Sequence, residues 1–146
     1  MKDKAHENIK LVKGFYMALR REESGVIRNM LDPNVEWIEP SLPGLWFSGT
    51  HRGADAVLQE VIGPTAQKIE RFRLKMKKFF AVGDHVIAIG SFHGFGKSTG
   101  LELYADTAHV WTLRSGKAVR FEGFHDPTNW REVMGLVEPE SQRMAA

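Results

Sequence analysis

The chain contains no cysteine, which excludes disulfide bonds, thiolate zinc sites and cysteine nucleophiles and leaves the redox compartment open. Long apolar runs are also missing, and no segment approaches the roughly 20 apolar residues of a membrane-spanning helix. The N-terminal residues mix charged with apolar side chains and lack the apolar run of a secretion signal. We therefore expect a cytoplasmic protein without a membrane partner.

The chain also lacks a strong net charge, and it lacks pairs of histidines at the spacing that binds metals. No two histidines have the i, i+4 spacing that places two ligands on one helical face, so we expect no metal and no cofactor. Twenty basic residues against 18 acidic ones give a net charge of +2. That balance is typical of a mixed surface, and we expect no nucleic-acid partner.

The densest basic run alternates Arg71, Arg73, Lys75 and Lys77 with apolar residues. A period of two is typical of a strand with one solvated face and one buried face. A solvated strand face that resists edge pairing is the simpler interpretation. A phosphate-binding stripe is the alternative.

The residues that are present suit one small domain. With 42% hydrophobic residues, residues 1–146 can form a single core without a metal or a disulfide, and residues 138–146 are expected to be a frayed tail. Apolar residues at helical spacing predict a first helix over 4–21. A short helix capped by Ser24 and ended by 32–34 is predicted next, followed by a strand over 35–39. Residues 41–52 are predicted to form a loop whose apolar side chains pack against the protein. A helix is predicted over 54–62, and we expect Gly63–Pro64 to break it before a last turn that reaches about residue 69.

Four long strands dominate the second half of the chain, at 72–82, 85–96, 101–114 and 117–125. Short links that contain glycine predict antiparallel hairpins, and Gly90 interrupts the alternation and predicts bulges with strong curvature. A last helix follows His125. Helices gathered on an antiparallel sheet make an α+β fold. We expect a cone-shaped curved sheet covered by the N-terminal helices, with a pocket for a small, largely apolar or aromatic molecule.

Five strings spread over nearly the whole chain carry a resemblance to a known superfamily: Phe15–Ala18, Val35–Pro40, Gly49–Val57, Ala108–Lys117 and Phe124–Asp126. In this order they resemble the nuclear transport factor 2-like superfamily, within its ketosteroid isomerase and SnoaL-like polyketide cyclase branch. The resemblance implies a cystatin-like architecture over a single SnoaL-like domain. It leaves the function open, because this superfamily includes isomerases, cyclases, dehydratases, epoxide hydrolases and non-catalytic proteins.

The resemblance implies a site built on three polar residues. Glu39 stands where ketosteroid isomerases carry the carboxylate that acts as general base, and Tyr16 stands where they place a tyrosine that stabilises an oxyanion. His109 stands at their second oxyanion position, there a protonated aspartic acid, and so departs from a true ketosteroid isomerase. Each residue also has an alternative without a catalytic role: Glu39 as a solvated acid at the strand end, Tyr16 as a core tyrosine and His109 as an interior histidine.

Strand parity extends this set. If His109 faces inward, its neighbours two residues away on the same strand do so too. On the adjacent strand, the family resemblance implies that Phe121, Gly123 and His125 face inward. The side chains expected to line the pocket are Trp37, Met76, Thr107, Trp111, Phe121 and His125.

Two further positions bear on the chemistry. Asp126 is a secondary candidate acid, with N-capping of the last helix before Pro127 as its alternative. Epoxide hydrolases of this fold carry an aspartate at the position of Gly123, and its absence here argues against epoxide hydrolysis by that mechanism.

The expected function is cofactor-independent acid–base chemistry on an apolar carbonyl compound, of isomerase, cyclase or dehydratase type. In the first version Glu39 removes a proton while Tyr16 and His109 bind the oxyanion. In the dehydratase version His109 is the base, and Glu39 orients it by a hydrogen bond. A non-catalytic binding or dimerisation module of the same fold is the alternative, and the resemblance also implies a homodimer.

Overall fold

The computed structural model of the protein describes residues 3–139. Two helices open the chain, α1 (Lys4–Arg20) and α2 (Ser24–Met30). The side chain of Asp3 caps α1 by accepting a hydrogen bond from the backbone N–H of Ala5, whereas Ser24 is the first residue of α2 and not its cap. Most of the predicted tail, residues 140–146, lies outside the described residues.

A continuous helical segment with three parts comes next: α3 (Ala54–Ala56), a π-helical segment (Val57–Ile62) and α4 (Gly63–Lys68). The break predicted at Gly63–Pro64 is therefore wrong. The N–H of Gly63 donates to the carbonyl of Leu58, five residues back. Pro64 falls in the first turn of α4, where its missing N–H needs no partner.

The sheet has six strands in the described part of the chain: β1 (Leu31–Ile38), β2 (Thr50–Arg52), β3 (Ile69–Val82), β4 (His85–Gly96), β5 (Glu102–Arg114) and β6 (Lys117–His125). Their spatial order is β2-β1-β6-β5-β4-β3, which leaves the sheet open. Neighbouring strands pair antiparallel as predicted, with one exception, because β1 pairs in parallel with β6. A parallel pair needs a long crossover connection, and here that connection contains all the other strands.

A bulge bends the long strand β3 near its middle. The register between β3 and β4 shifts just after Met76, which pairs with Gly90. A Cβ atom at Gly90 would lie 2.0 Å from the carbonyl oxygen of Lys75, so only glycine allows the two backbones to approach this closely. The bulge predicted near Gly90 is confirmed, and it helps to curve the sheet around its inner face.

The core lies between the concave face of this sheet and the helices. A last helix, α5 (Pro127–Val133), buries Trp130 and Val133. Among residues 3–139, the outer face of the sheet leaves Ile89, Tyr104 and Phe124 exposed. Within residues 3–139, no helix combines the length and the apolar character that crossing a membrane requires. The architecture is the predicted α+β fold, a curved open sheet with helices over its concave side.

Candidate functional site

A cavity of about 830 Å³ lies between the concave face of the sheet and the helices, a size within the usual range of small-molecule sites. Its walls are rich in aromatic side chains: Phe15, Tyr16, Trp37, Phe47, Phe72, Phe92, Phe121 and Trp130. Among them lie three titratable side chains with little solvent exposure, Glu39, His109 and His125. The cavity therefore offers an apolar volume with a few polar groups at fixed positions.

Glu39 and His125 form a buried pair. The side chains are 5% and 3% exposed, and Oε2 of Glu39 contacts Nε2 of His125. The other carboxylate oxygen, Oε1, accepts a hydrogen bond from Nε1–H of Trp37 at 2.8 Å. On the far side of the imidazole, Nδ1 of His125 lies 2.6 Å from the hydroxyl of Thr107. Both ring nitrogens and both carboxylate oxygens are thus held in place before any ligand binds.

Gly123 makes room for this pair. A Cβ atom at Gly123 would lie 2.7 Å from Nε2 of His125 and 2.8 Å from Oε2 of Glu39. Those distances are shorter than van der Waals contact, so any larger residue would force the two side chains apart. Strand parity correctly predicts that position 123 faces inward, but the sequence gives no sign of what it accommodates.

Tyr16 joins two inward residues of β5. The Nε1–H of Trp111 donates to the hydroxyl oxygen of Tyr16 at 2.9 Å, and the same oxygen lies 2.6 Å from Nδ1 of His109. Because the oxygen already accepts from Trp111, the hydroxyl proton can be directed to His109. Burial raises the pKa of Tyr16, and the weaker opposing effect is the hydrogen bond from Trp111. The phenol therefore keeps the proton that it donates.

His109 is held neutral with its proton on Nε2. Burial, and in second place the nearby charge of His125, lower the pKa of His109 well below its ordinary value. A neutral imidazole has one N–H, and with Nδ1 accepting from Tyr16 that N–H is on Nε2. The buried Nε2 has no hydrogen-bond partner among residues 3–139. An unpaired buried donor is costly, so this group is ready to bind an oxygen atom of a ligand.

The expected hydrogen bond between Glu39 and His109 is not formed. Glu39 binds His125 instead, because β1 lies beside β6 with Trp37 opposite Phe121. The end of β1 thus meets the end of β6 and not β5. The rings of Trp37 and Phe121 stack with a centroid separation of 3.7 Å.

The remaining predicted residues lie around this site. Thr107 and Trp111 are buried as parity predicts, and they hold His125 and Tyr16 without themselves lining the cavity. Met76 is half-buried on β3 and is not among the lining residues. Asp126 is exposed, and its carboxylate caps α5 by accepting from the N–H of Thr128, which favours the capping alternative.

Several lining residues were not predicted. Phe47 lies in the 41–52 segment, where the sequence predicted only a loop with packing residues, and Phe92 and Trp130 line the cavity from β4 and α5. Apolar character alone does not show which residues border the same cavity, so the sequence analysis named none of the three as site residues. Residues 3–139 contain no group of three or more His, Asp or Glu side chains placed to hold a metal ion.

Comparisons with known proteins agree with this geometry. A family model described as a SnoaL-like domain matches residues 12–121. No curated protein matches this chain. An NTF2-like protein of unknown function from Burkholderia pseudomallei is 25% identical, with a TM-score of 0.80 over 88% of this chain and 97% of that one. An NTF2-like protein from Burkholderia thailandensis is 28% identical, with a TM-score of 0.80 over 87% and 96%.

A third solved structure contains a ligand. TerC, crystallised with polyporic acid, is 27% identical to this chain, with a TM-score of 0.78 over 88% of this chain and 98% of the other.

Proposed function

This chain belongs to the SnoaL-like domain family, and from that membership and its cavity we propose that it is a cofactor-independent enzyme acting by acid–base chemistry on a small apolar carbonyl compound. The reaction would be of isomerase, cyclase or dehydratase type. One observation carries the proposal: a buried carboxylate–imidazole pair and an unpaired imidazole donor line the same aromatic cavity.

Glu39 is the proposed base. Its carboxylate would take a proton from the carbon beside the ligand carbonyl, while His125 and Trp37 hold the carboxylate in place. Fixing a base against the reacting carbon removes the need to order it during the reaction. His125 would stabilise the charge changes on Glu39 as the proton arrives and leaves.

His109 is the proposed donor to the oxyanion. When the α-proton leaves, negative charge develops on the carbonyl oxygen, and Nε2–H of His109 would stabilise it. Tyr16 would act as a positioning residue, because its proton is used to fix the His109 tautomer. That tautomer makes Nε2 a donor, which supports the oxyanion role over the role of His109 as a base.

The walls support an apolar, ring-containing ligand. Aromatic side chains surround the polar groups, and exclusion of water from such a site strengthens each polar contact. TerC, at 27% identity, was crystallised with the small molecule polyporic acid, which supports small-molecule binding in this cavity as well.

Hydrogen exchange on a simple ketone tests the proposal. The protein should speed the exchange of the α-hydrogens of β-tetralone in deuterium oxide, followed by proton NMR. Glu39→Gln should slow the catalysed exchange about 100-fold or more, because a positioned general base contributes at least that factor, while the amide can still accept from Trp37.

Glu36→Gln is the matched control. Glu36 lies on the same strand but pairs with Arg52 and Arg120 outside the cavity, so its variant should exchange at the wild-type rate. Undiminished exchange in Glu39→Gln would remove Glu39 from its proposed role.

A non-catalytic binding module is the second candidate. The observation that favours it is the pairing of Glu39 with His125, since the two groups already satisfy each other without a ligand. Binding of β-tetralone that shifts the imidazole NMR signals of His109, without any catalysed exchange, would favour this candidate.

We also propose that two copies pair through the outer face of the sheet. That face exposes Ile89, Tyr104 and Phe124, which makes an apolar area of the kind found at interfaces.

A further inference from the structure

Arg71 adopts a backbone conformation that arginine rarely takes. Its φ angle is +53°, in the left-handed region where a Cβ atom meets the following carbonyl. The register explains the angle: Glu70 pairs with Phe95 and Arg73 with His93, so two residues of β3 stand opposite the single residue Gly94. Glycine is the usual residue at the left-handed position of such a bulge. The chain nevertheless has an arginine there.

The strained arginine lies at the mouth of the cavity. Arg71 and Arg20 are both exposed residues of the lining, whereas Glu39, His109 and His125 lie buried within it. In the part of the chain that the structure describes, neither arginine forms an ion pair.

Other charges near the mouth do not neutralise these arginines. Glu22 is the one acidic side chain among the exposed lining residues of the described chain. Arg73 and Lys75 pair with His93 and Ser91 on β4, on the outer face of the sheet. Partial burial, and then their positive charges, lower the pKa of His93 there, so we do not count Arg73 and Lys75 among the charges at the mouth. The mouth therefore carries an excess of positive charge without a ligand.

We propose that Arg71, together with Arg20, binds an anionic oxygen group of the ligand, of carboxylate type, at the mouth while the apolar body of that ligand fills the cavity. Arginine suits this role because its planar guanidinium matches a carboxylate with two parallel hydrogen bonds. A strained backbone is typically retained where a side chain has a task. This inference rests on the proposed small-molecule function of the cavity and adds the chemical class of its ligand.

Two ring compounds of matched shape test the charge preference. N-phenyl-α-naphthylamine, a neutral fluorescent probe, reports occupation of the cavity, and β-naphthoate and β-naphthamide are titrated to displace it. In the wild type, the carboxylate should displace the probe at about fivefold lower concentration than the amide, the size expected for a partly exposed ion pair, and added salt should reduce this preference.

Arg71→Gly removes the cation and relaxes the backbone in one step. We expect its melting temperature to be no lower than that of the wild type, its affinity for β-naphthamide to be unchanged, and the preference for β-naphthoate to be lost. Lys77→Ala removes one positive charge from the same strand outside the cavity lining and should keep the preference. Arg71→Gln, which retains the length of the side chain, should lose the preference as Arg71→Gly does.

The outcomes separate the two proposals. Equal affinity of both compounds in the wild type, an unchanged preference in Arg71→Gly and Arg71→Gln, or equal weakening of both compounds would overturn the anion site while leaving the cavity as a binding site. Failure of the neutral probe and of both compounds to bind would contradict the proposed function itself, and the anion site with it.

Discussion

His109 is a neutral imidazole enclosed by aromatic side chains, and this environment has a consequence for stability. Burial lowers the pKa of His109 in the folded protein, whereas in the unfolded chain a histidine titrates near pH 6.5. Between these two values the unfolded chain binds one more proton than the folded chain. The free energy of unfolding therefore rises with pH and falls on acidification, by up to about 1.4 kcal/mol per pH unit from this group.

Replacing His109 by Gln should remove this dependence. Urea unfolding, followed from about pH 7.5 down to pH 5, should show that the wild type loses more stability than His109→Gln over the acidic half of that range. The comparison uses the slope of the unfolding free energy against pH, so a constant difference in stability between the two proteins does not affect it. Parallel curves for the two proteins would contradict the neutral state of His109.

Single residues also show how far the sequence can predict this site. Alternation along β5 and β6 correctly predicts that His109, Trp111 and Phe121 face inward, because the period of two is a local property. It cannot predict that Glu39 meets His125. That contact depends on which strand lies beside β1, and the pairing is made by residues far apart in sequence.

The bulged strand β3 and its neighbour β4 determine the curvature that encloses the cavity. Gly90→Ala should destabilise the protein by about 3 kcal/mol, because the new methyl group would meet the carbonyl of Lys75 and the backbone would have to move. Urea unfolding measures the loss.

Gly25→Ala is the control for this change. A Cβ atom at Gly25, in α2, would meet nothing within 4 Å, so this variant should be slightly more stable than the wild type, by about 0.5–1 kcal/mol. If Gly90→Ala unfolds at the wild-type urea concentration, the close approach of β3 and β4 is not required.

Elements differ in how well the sequence predicts them. The strand predicted over 85–96 matches β4, and that over 117–125 matches β6. Turns that contain glycine mark both ends of β4 and the start of β6, and Asp126–Pro127 marks the end of β6. The sequence predicts a break at Gly63–Pro64, because proline usually ends a helix. The π-helical hydrogen bond to Leu58 is a compensation that the propensities of single residues do not reveal.

At the scale of the whole molecule, the outer face of the sheet is the surface through which we propose that two copies pair. Phe124 is 55% exposed there. Phe124→Glu should place two like charges near the proposed two-fold contact and shift the protein from dimer to monomer, as measured by light scattering at several concentrations.

Val26→Glu is the matched control. Val26 is 44% exposed on α2, away from the sheet, so its variant should keep the mass of the wild type. A monomeric wild type, or an equal mass for Phe124→Glu and the wild type, would contradict pairing through this face.

The lack of a side chain at Gly123 restricts which residues this scaffold can carry there. An aspartate at that position, as the resemblance attributes to epoxide hydrolases of the fold, would occupy the volume in which the Glu39 carboxylate and the His125 imidazole meet. The two arrangements are therefore mutually exclusive within one protein. A substitution at Gly123 alone would therefore disrupt the Glu39–His125 pair without completing the other site.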